Sequence, residues 1–298
     1  MAKDIITEQK IKDHVERLGE QHPPIALATV DRTVKNPDQL RERFGHVIEY
    51  LARVELEVDR NVLELLVLLP QPHEVDRMFY EDVWQPQEIQ HGLIIDQLGR
   101  DIGLDPAEPM LEVQTSMKIL GALSHIPQIG EVTRLLYYLT GASTERQAVL
   151  AYNTLNRAMA ELGEDAVAHT IIGPIKQQEP GHFAFYQMSA REMIENGRLK
   201  PWQLWLARQI RSFSYGLVGT NGKKHYTADM GGVMEILGFN EDLEGFAKDV
   251  GRFEAKVLWA NRDGMAFPPY VLRALRDSLN LYRERLQRRS EGGLATAA

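Results

Sequence analysis

The sequence contains no cysteine among its 298 residues. Disulfide bonds and thiolate-bound metals are therefore excluded, and cysteine usage gives no indication of the redox compartment. Positive charge does not predominate either, because the formal net charge is −8, which argues against a general nucleic-acid binder. No apolar run is long enough for a membrane span, and no N-terminal segment has the pattern of a secretory signal. These absences favour a cytoplasmic protein.

Nucleotide fingerprints and strand patterns are missing as well. No Gly-x-Gly-x-x-Gly follows a strand, so no flavin or nicotinamide site is indicated. Apolar residues recur at helical spacing over long stretches, and no period-2 alternation stands out. With 44% hydrophobic residues to form a core, the sequence predicts one all-α domain of eight to eleven helices over residues 1–290.

This predicted domain has three regions and a tail. Residues 1–36 form a short helix and an irregular arm, residues 37–200 the long helices of a bundle, and residues 201–290 additional C-terminal helices, while 291–298 is a disordered tail. The long helices are predicted at 37–69, 73–99, 127–162 and 165–195.

Prolines lie inside two of these long helices. Pro86 predicts a kink or a π-type bulge two residues before Glu88. Pro174 and the pair Pro180-Gly181 predict interruptions of the fourth long helix. Such breaks of a local rule are expected next to a functional site.

Two Glu-x-x-His motifs, Glu88 to His91 and Glu179 to His182, occur on these helices. A Glu and a His three residues apart lie on one helical face, so both side chains can bind the same metal ion. About one such spacing is expected by chance in a chain of this composition. An ion pair on the helix surface is therefore the simpler interpretation of either motif alone.

The position of each motif relative to the preceding helix is more informative than the count. Glu55 lies sixteen residues before the centre of a turn at Gln71, and Glu88 lies seventeen residues after it. In the second hairpin, Glu145 and Glu179 each lie seventeen residues from the turn. Since helices rise about 1.5 Å per residue, both antiparallel pairs hold their carboxylates at nearly equal heights.

The environment of the two unpaired glutamates also differs from that of a surface residue. Glu55 lies in an apolar stripe, whereas Glu57 has polar neighbours and is predicted to be solvated, although the sequence leaves open which of them is the ligand. A lone buried carboxylate costs several kcal/mol or takes up a proton, so Glu55 and Glu145 each require a partner. A divalent cation would satisfy both.

Four helices that carry two Glu and two Glu-x-x-His groups at one level have the ligand set of a carboxylate-bridged two-iron site in a ferritin-like four-helix bundle. Oxygen-rich donors with two imidazoles suit iron, with manganese as an alternative, better than zinc. We expect Glu88 and Glu179 to bridge the metals. The six predicted metal-binding and catalytic residues are Glu55, Glu88, His91, Glu145, Glu179 and His182.

At these residues the chain resembles the soluble acyl-carrier-protein desaturases, a ferritin-like two-iron family. Trp84-x-x-x-Glu88-x-x-His91-Gly92 is similar to the family's Trp-Thr-Ala-Glu-Glu-Asn-Arg-His-Gly, and Thr144-Glu145-Arg146 to its Gln-Glu-Arg. Glu179-Pro-Gly-His182 corresponds to Glu-Lys-Arg-His. Residues 234–239 and 268–276 are similar to the family's C-terminal helices, and the order is kept over roughly residues 40–290.

The resemblance implies an O₂-dependent oxidoreductase that introduces a double bond into a fatty acyl chain held on acyl carrier protein. It also implies two iron ions, a ferredoxin-type electron donor and a homodimer. Gln178, however, replaces an Asp of the family's electron route, and Ala148 replaces a Thr that manages protons at bound oxygen. An oxygenase that hydroxylates or N-oxidises another small or carrier-bound substrate therefore stays open, as does a ferritin-like protein that only binds metal.

Some further residues have simpler interpretations. Trp84, Tyr152 and Tyr186 are predicted to pack in the core rather than relay electrons, and His46 and His169 to be structural. A group of basic residues in this acidic protein could attract an acidic carrier protein, although a solvated helix face is the simpler alternative. This group is Arg191, Arg198, Lys200, Arg208, Arg211, Lys223 and Lys224.

Overall fold

The computed structural model describes residues 5–295, and side chains within residues 5–291. Helices and two short 3₁₀ turns make up the regular structure of this range, which contains no strand. The twelve α-helical segments form eleven continuous helices, because a π-helical segment joins two of them. The predicted all-α class and helix number are thereby confirmed. The α-helices are α1 (Glu8–Gln21), α2 (Pro37–Glu55), α3 (Val58–Leu68), α4 (Glu74–Arg77), α5 (Gln85–Asp101), α6 (Thr115–Ser124), α7 (Pro127–Glu161), α8 (Gly173–Glu195), α9 (Pro201–Ser214), α10 (Lys224–Ile236), α11 (Leu243–Val257) and α12 (Pro269–Ala295).

Two π-helical segments, Met78–Trp84 and Val167–Ile172, are continuous with the α-helices beside them. The first joins α4 to α5 and ends just before Gln85-Pro86, so of the two predicted effects of Pro86, a kink or a π-type bulge, the π-type geometry is present. The second leads into α8, just before Gly173-Pro174. Proline cannot donate to the carbonyl four residues back, and π-type bonding to the fifth residue back relieves that mismatch next to it.

The fourth long helix is not interrupted at Pro180, contrary to the sequence-based expectation. Helix α8 continues through Pro180 and Gly181 to Glu195. Gly181 allows Leu18 of α1 to approach closely, because a Cβ there would lie 2.3 Å from Leu18 Cδ1. His14 Nε2 also lies 3.0 Å from the carbonyl oxygen of Gly181. Packing of α1 therefore holds the helix together where the sequence alone predicts a break.

The first long helix, in contrast, is broken where it was predicted to be continuous over residues 37–69. Helix α2 ends at Glu55 and α3 begins at Val58. Gly92 of α5 lies against this turn, so closely that a Cβ added to it would be 3.0 Å from Leu56 N. No Pro or Gly marks the break in the sequence, so it is set by tertiary contacts.

The long helices pack as a bundle in which α2 contacts α5 and α7 contacts α8. The core consists of two apolar clusters, and the ligand-bearing helices pass from one to the other. On α8, Ile175 belongs to one cluster and Phe185 to the other, with Glu179 between them. Trp84, at the start of α5, and Ile94 bracket Glu88 in the same way. The polar residues of interest therefore lie in the layer between two apolar regions.

Hydrogen bonds attach the N-terminal arm to the bundle. The backbone N–H groups of Lys35 and Asn36 donate to Glu164, and Thr170 Oγ1 donates to the carbonyl of Asp31, which fixes the arm on the bundle. Helix α12 is described up to Ala295, and residues 296–298 of the predicted tail lie outside the described residues. Within the described range, no helix has the length and apolar character that a membrane span requires.

Candidate metal centre

Six polar side chains from four helices converge in the layer between the two apolar clusters. Each of these residues is at most 7% exposed, and His91 and His182 are fully buried. Their ligand atoms form two groups, and within each group all atoms lie within 4.8 Å of one another. One group is Glu55, Glu88, His91 and Glu179, and the other is Glu88, Glu145, Glu179 and His182. The structure thus brings together all six residues singled out in the sequence.

Glu88 and Glu179 belong to both groups and lie between the two imidazoles. His91 Nδ1 is 3.3 Å from Glu179 Oε1 and 3.6 Å from Glu88 Oε2. His182 Nδ1 is 2.9 Å from Glu88 Oε1 and 3.7 Å from Glu145 Oε2. A carboxylate that faces both histidines occupies the place of a bridge, whereas Glu55 and Glu145 each belong to one group only.

Several buried polar atoms of the cluster are unsatisfied, and they lie where a pair of cations could bind them. Four buried atoms of the cluster make no well-formed hydrogen bond, although His182 Nδ1 lies 2.9 Å from Glu88 Oε1: Glu88 Oε1, Glu179 Oε1, His91 Nδ1 and His182 Nδ1. Leaving such atoms unpaired in the interior costs about 1–3 kcal/mol each, more when they are charged. Two divalent cations would accept these lone pairs and would balance the charge of four carboxylates. The donor set is therefore typical of a carboxylate-rich two-metal site.

Two glutamines hold the far sides of the histidine rings. His182 Nε2 lies 2.6 Å from Gln87 Oε1, and His91 Nε2 lies 2.6 Å from Gln178 Oε1. An amide oxygen only accepts, so each Nε2 carries the proton and, in the neutral ring, Nδ1 keeps its lone pair for the centre. Each glutamine belongs to the hairpin opposite its histidine, so the contacts also link the two hairpins.

Two aromatic donors hold the carboxylates that belong to one group only. Tyr152 donates its hydroxyl to Glu55 Oε1 over 2.5 Å, and Trp84 Nε1 donates to Glu145 Oε1 over 3.2 Å. Both aromatic residues are buried in the core, as predicted, but packing is not their only role. Tyr186 is likewise buried and shares a 2.6 Å hydrogen bond with Tyr80.

Electrostatics within the cluster oppose four free carboxylates. Burial raises the pKa of Glu145 to about 8, although the nearby imidazole of His182 opposes the rise. Burial, together with the charge of Glu88, also raises the pKa of Glu55 well above its usual range. Burial lowers the pKa of His91, but the carboxylates of Glu179 and Glu88 outweigh it and raise this pKa to about 9. In the metal-free cluster, protons supply the positive charge that cations would otherwise supply.

Glu57 is not solvated, and this expectation from the sequence was wrong. Its side chain is 1% exposed and accepts from Arg53 at 2.7 Å and from Arg60 at 2.7 Å. Asn221 Nδ2 also donates to it over 2.9 Å. Glu57 thus forms a buried ion cluster of its own, and Glu55 is the residue that joins the metal-ligand group.

A cavity of about 880 Å³ reaches the cluster. Four carboxylates line it, those of Glu55, Glu88, Glu145 and Glu179. From there it extends along α3 and α7 to Leu68, Leu120, Thr133 and Leu136. Phe213, which is 88% exposed, and the exposed Lys224 also line it, so the cavity is open to solvent.

The basic residues predicted to form a surface group differ in exposure. Arg211 is 3% exposed and bonded to Glu254, so it is not part of a surface patch. Arg191 and Arg198 are paired with Glu195 and Glu192. Lys200, Lys223 and Lys224 are exposed.

The remaining predicted histidines do not join the cluster. His46 Nε2 lies 2.9 Å from the carbonyl of Asp229, and its ring stacks on Tyr282. His169 is exposed on the second π-helical segment. Neither belongs to the two ligand groups.

Sequence reasoning missed the roles of Gln87, Gln178 and Tyr152. A signal for the glutamines was present, because a Gln directly precedes the Glu of both motifs and gives Gln-Glu-x-x-His twice. No comparable signal links Tyr152 to Glu55, which is 97 residues away.

Comparison of the chain with protein-family models, curated proteins and solved structures gives no match. The assignment therefore rests on the residues themselves: an all-α protein whose buried carboxylate and histidine cluster is of the kind that holds two metal ions.

Proposed function

We propose that this protein is an O₂-dependent oxidase with a two-iron centre, and that it introduces a double bond into a fatty acyl chain carried on acyl carrier protein. The observation that carries the proposal is the cavity, which opens directly onto four carboxylates of the cluster. A protein that only stores or binds metal has no need of such a substrate space. The likeness to acyl-carrier-protein desaturases at five of the six ligand residues, all except Glu55, supports the same activity.

The six residues have distinct roles in this proposal. Glu88 and Glu179 would bridge the two irons, Glu55 and His91 would complete one, and Glu145 and His182 the other. Bound iron supplies the redox chemistry with O₂ that removes hydrogen from an unactivated C–H bond. Gln87 and Gln178 orient the imidazoles, while Tyr152 and Trp84 orient the terminal carboxylates.

The shape of the cavity supports a long apolar substrate. Its lining follows α7 from Thr133 to Ala148, fifteen residues that correspond to about 22 Å of helix. Leu68, Leu120 and Leu136 line the part far from the carboxylates. An extended long-chain acyl group has a similar length and would pack against these leucines, while polar residues such as Asn61 and Thr140 line other parts of the cavity. The chain would lie with a C–H bond beside the carboxylate cluster.

The second candidate is an oxygenase that hydroxylates a similar substrate. Ala148 lines the cavity one turn from Glu145, at the place where the desaturases have a Thr. No hydroxyl is therefore available at that position to hold a proton beside the reacting atoms. This difference favours oxygen transfer over removal of two hydrogens.

The proposed partners include a ferredoxin-type electron donor and a second copy of the chain, both of which the resemblance implies. Two electrons per turnover come from outside, since the sequence carries no fingerprint of a flavin or nicotinamide site, and a ferredoxin-type protein is the donor we propose. Lys223 and Lys224 are exposed near the cavity, where they would attract an acidic carrier protein. We also retain the homodimer as part of the proposal.

Metal binding is tested by growth with iron and measurement of metal per purified chain. We expect about two ions per chain, and Glu88→Ala and Glu179→Ala to lower that number. Glu161→Ala, at an exposed position of α7, is the matched control and should keep both ions. Less than about one ion per chain, with no effect of either ligand variant, would refute the two-metal centre.

The reaction is tested by mixing the iron-loaded protein with reduced ferredoxin, O₂ and acyl carrier protein that carries a saturated long-chain acyl group. Mass spectrometry of the acyl product distinguishes a loss of two hydrogens, which is desaturation, from a gain of one oxygen, which is hydroxylation. Ala148→Thr restores the missing hydroxyl and is expected to increase the desaturated fraction. An iron-loaded protein that leaves every acyl substrate unchanged would contradict the oxidase proposal while leaving the metal centre intact.

A further inference from the structure

The N-terminal arm contacts both glutamines behind the histidine ligands. Gln87 Nε2 donates to the carbonyl oxygen of His22 over 2.5 Å. Gln178 Nε2 donates to the carbonyl oxygen of Pro23 over 2.8 Å and approaches that of His22 at 3.4 Å. Two adjacent carbonyls of the arm backbone therefore accept the amide protons of both side chains.

The sequence of this part of the arm gives it acceptors without donors. His22 is followed by Pro23 and Pro24, so the two peptide bonds that carry these carbonyls have no N–H. A peptide plane elsewhere can rotate and present N–H in place of C=O, but here it has none to present. Proline also restricts the residue before it to extended conformations. The amide nitrogen of each glutamine must consequently face the arm.

This orientation determines which nitrogen of each histidine can bind metal. With its amide nitrogen on the arm, each glutamine turns Oε1 towards Nε2 of its histidine, at 2.6 Å in both cases. Nε2 must then be protonated, and the lone pair of the neutral ring lies on Nδ1, which faces the cluster. A reversed glutamine would offer N–H to Nε2 and place the ring proton on Nδ1, where a cation could not bind.

We propose that the segment His22-Pro23-Pro24 is a positioning element of the metal centre. Its carbonyls orient Gln87 and Gln178, and the glutamines in turn fix the tautomer of His182 and His91. Docking of the arm and metal binding are therefore coupled. The inference rests on the cluster binding metal, which is part of the proposed function, and not on any oxidation that the metal carries out.

Other contacts anchor the arm independently of these two glutamines. Leu27 N–H donates to Gln90 Oε1, and Thr170 Oγ1 donates to the carbonyl of Asp31. The arm therefore stays near the bundle when Gln87 or Gln178 is changed. Gln90 also provides a matched control, because it lies on the same helix as Gln87 and binds the arm but contacts neither histidine through its amide.

The first test measures Co²⁺ and Zn²⁺ affinity of the full chain. Gln87→Leu and Gln178→Leu are expected to weaken binding by about 10–100-fold, the usual effect of losing a hydrogen bond behind a histidine ligand. Gln90→Leu is expected to bind metal nearly as the unchanged protein does, because Thr170 and both glutamines still hold the arm. In the Zn²⁺-loaded protein, histidine ¹⁵N spectra should show a protonated Nε2 and a metal-bound Nδ1 for both ligands. Metal-bound Nε2 at either histidine would overturn the proposal.

The second test separates orientation from simple support of the fold. Glutamate at 87 and 178 has two equivalent oxygens, so it accepts from histidine whichever way it is turned and needs no arm to orient it. Pro23→Gly with Pro24→Gly restores rotatable peptides. We expect this pair of changes to weaken metal binding about two- to fivefold in the glutamine protein. In the Gln87→Glu, Gln178→Glu protein we expect no loss, because the new peptide N–H groups can donate to the carboxylates. Equal losses of metal affinity in both proteins would overturn the proposal, because an arm that only supports the fold would give equal losses.

Discussion

The hydroxyl of Tyr152 donates to Glu55 Oε1 across 2.5 Å. Trp84 makes the equivalent contact on the other side of the cluster, where its Nε1 donates to Glu145. Each carboxylate that belongs to only one ligand group thus has one aromatic donor from another helix. The donor leaves the second carboxylate oxygen for a cation, so each group of ligands has its own supporting residue.

This division predicts that the two metal positions can be weakened separately. Tyr152→Phe should lower affinity at the position of Glu55 and His91, and Trp84→Phe at the position of Glu145 and His182, by about tenfold in each case. A stepwise Co²⁺ titration should show one weakened and one unchanged binding step. Tyr138→Phe, which removes a hydroxyl bonded to Asp76 instead, should change neither step.

Metal binding should depend on pH in a defined direction. The pKa of His91 is raised to about 9 and that of Glu145 to about 8, so at neutral pH protons occupy atoms that a cation needs. Affinity should fall as pH decreases from 9 and through 8, and loading at pH 7 should release protons into a weakly buffered solution. Calorimetry in two buffers of different ionisation enthalpy measures this release. Affinity that is constant between pH 6 and 9 would contradict the prediction.

Replacing Glu145 with a neutral residue should stabilise the metal-free protein and reduce the stabilisation that added metal gives. Because folding raises the pKa of Glu145 from 4.5 to about 8, its burial in the metal-free protein costs stability that grows from pH 4.5 to 8. Glu145→Gln should therefore raise the melting temperature of the metal-free protein at pH 8 and not at pH 4. The stabilisation by added metal, about 2.7 kcal/mol at 100 times Kd, should be largely lost.

Glu57→Gln is the contrasting buried variant. Arg53 and Arg60 neutralise Glu57 in the protein itself, so the change leaves two arginines without their acceptor. We expect a loss of about 3–5 kcal/mol in unfolding free energy, equal with and without metal. A loss that appears only in the metal-loaded protein would indicate instead that Glu57 is a ligand.

Gly92 should tolerate no side chain, since α5 contacts the turn between α2 and α3 there. A Cβ would lie 2.8 Å from Leu56 Cδ2 and 3.0 Å from Leu56 N. Gly92→Ala should cost about 1–3 kcal/mol of unfolding free energy, and Leu56→Ala in the same chain should restore only part of it because the backbone contact persists. Gly45→Ala, where the nearest atom is 3.4 Å away, is the control that should be tolerated.

The cavity predicts how substrate length is selected. Leu136 lines it away from the carboxylates, so Leu136→Trp should shorten the available space. Conversion of long acyl chains should fall relative to shorter ones, with metal content unchanged. Leu136→Met, of similar volume, should keep the original preference. Relative conversion of acyl chains from a mixture, measured by mass spectrometry, decides the prediction.

The sequence predicted the helices and the convergence of six side chains for one physical reason. Helical periodicity is local, and equal distances from a turn place residues of an antiparallel pair at the same height whatever lies between them. Glu88 and Glu179 could be placed by this arithmetic alone. The proline-associated π-helix before Glu88 was predictable because proline always lacks the N–H that the preceding turn needs.

The break after Glu55 and the burial of Glu57 were not predictable in this way. Glu57 is surrounded by charged and polar neighbours in the sequence, which normally indicates exposure. Its burial depends on Asn221 and on the backbone N–H of Met110, both more than fifty residues away. Long-range partners of this kind leave no periodic signal.

The two π-helical segments determine where the chain can be shortened. An α-helical residue turns the direction of the next side chain by about 100°, whereas π-type bonding to the fifth residue back accommodates one extra residue within the turn. Deleting a single residue between Met78 and Trp84 should therefore give ordinary α-helix and leave Glu88 and His91 facing the same neighbours, and the same holds for Val167–Ile172 and α8. A related chain shortened by one residue in either segment would retain both the architecture and the chemistry.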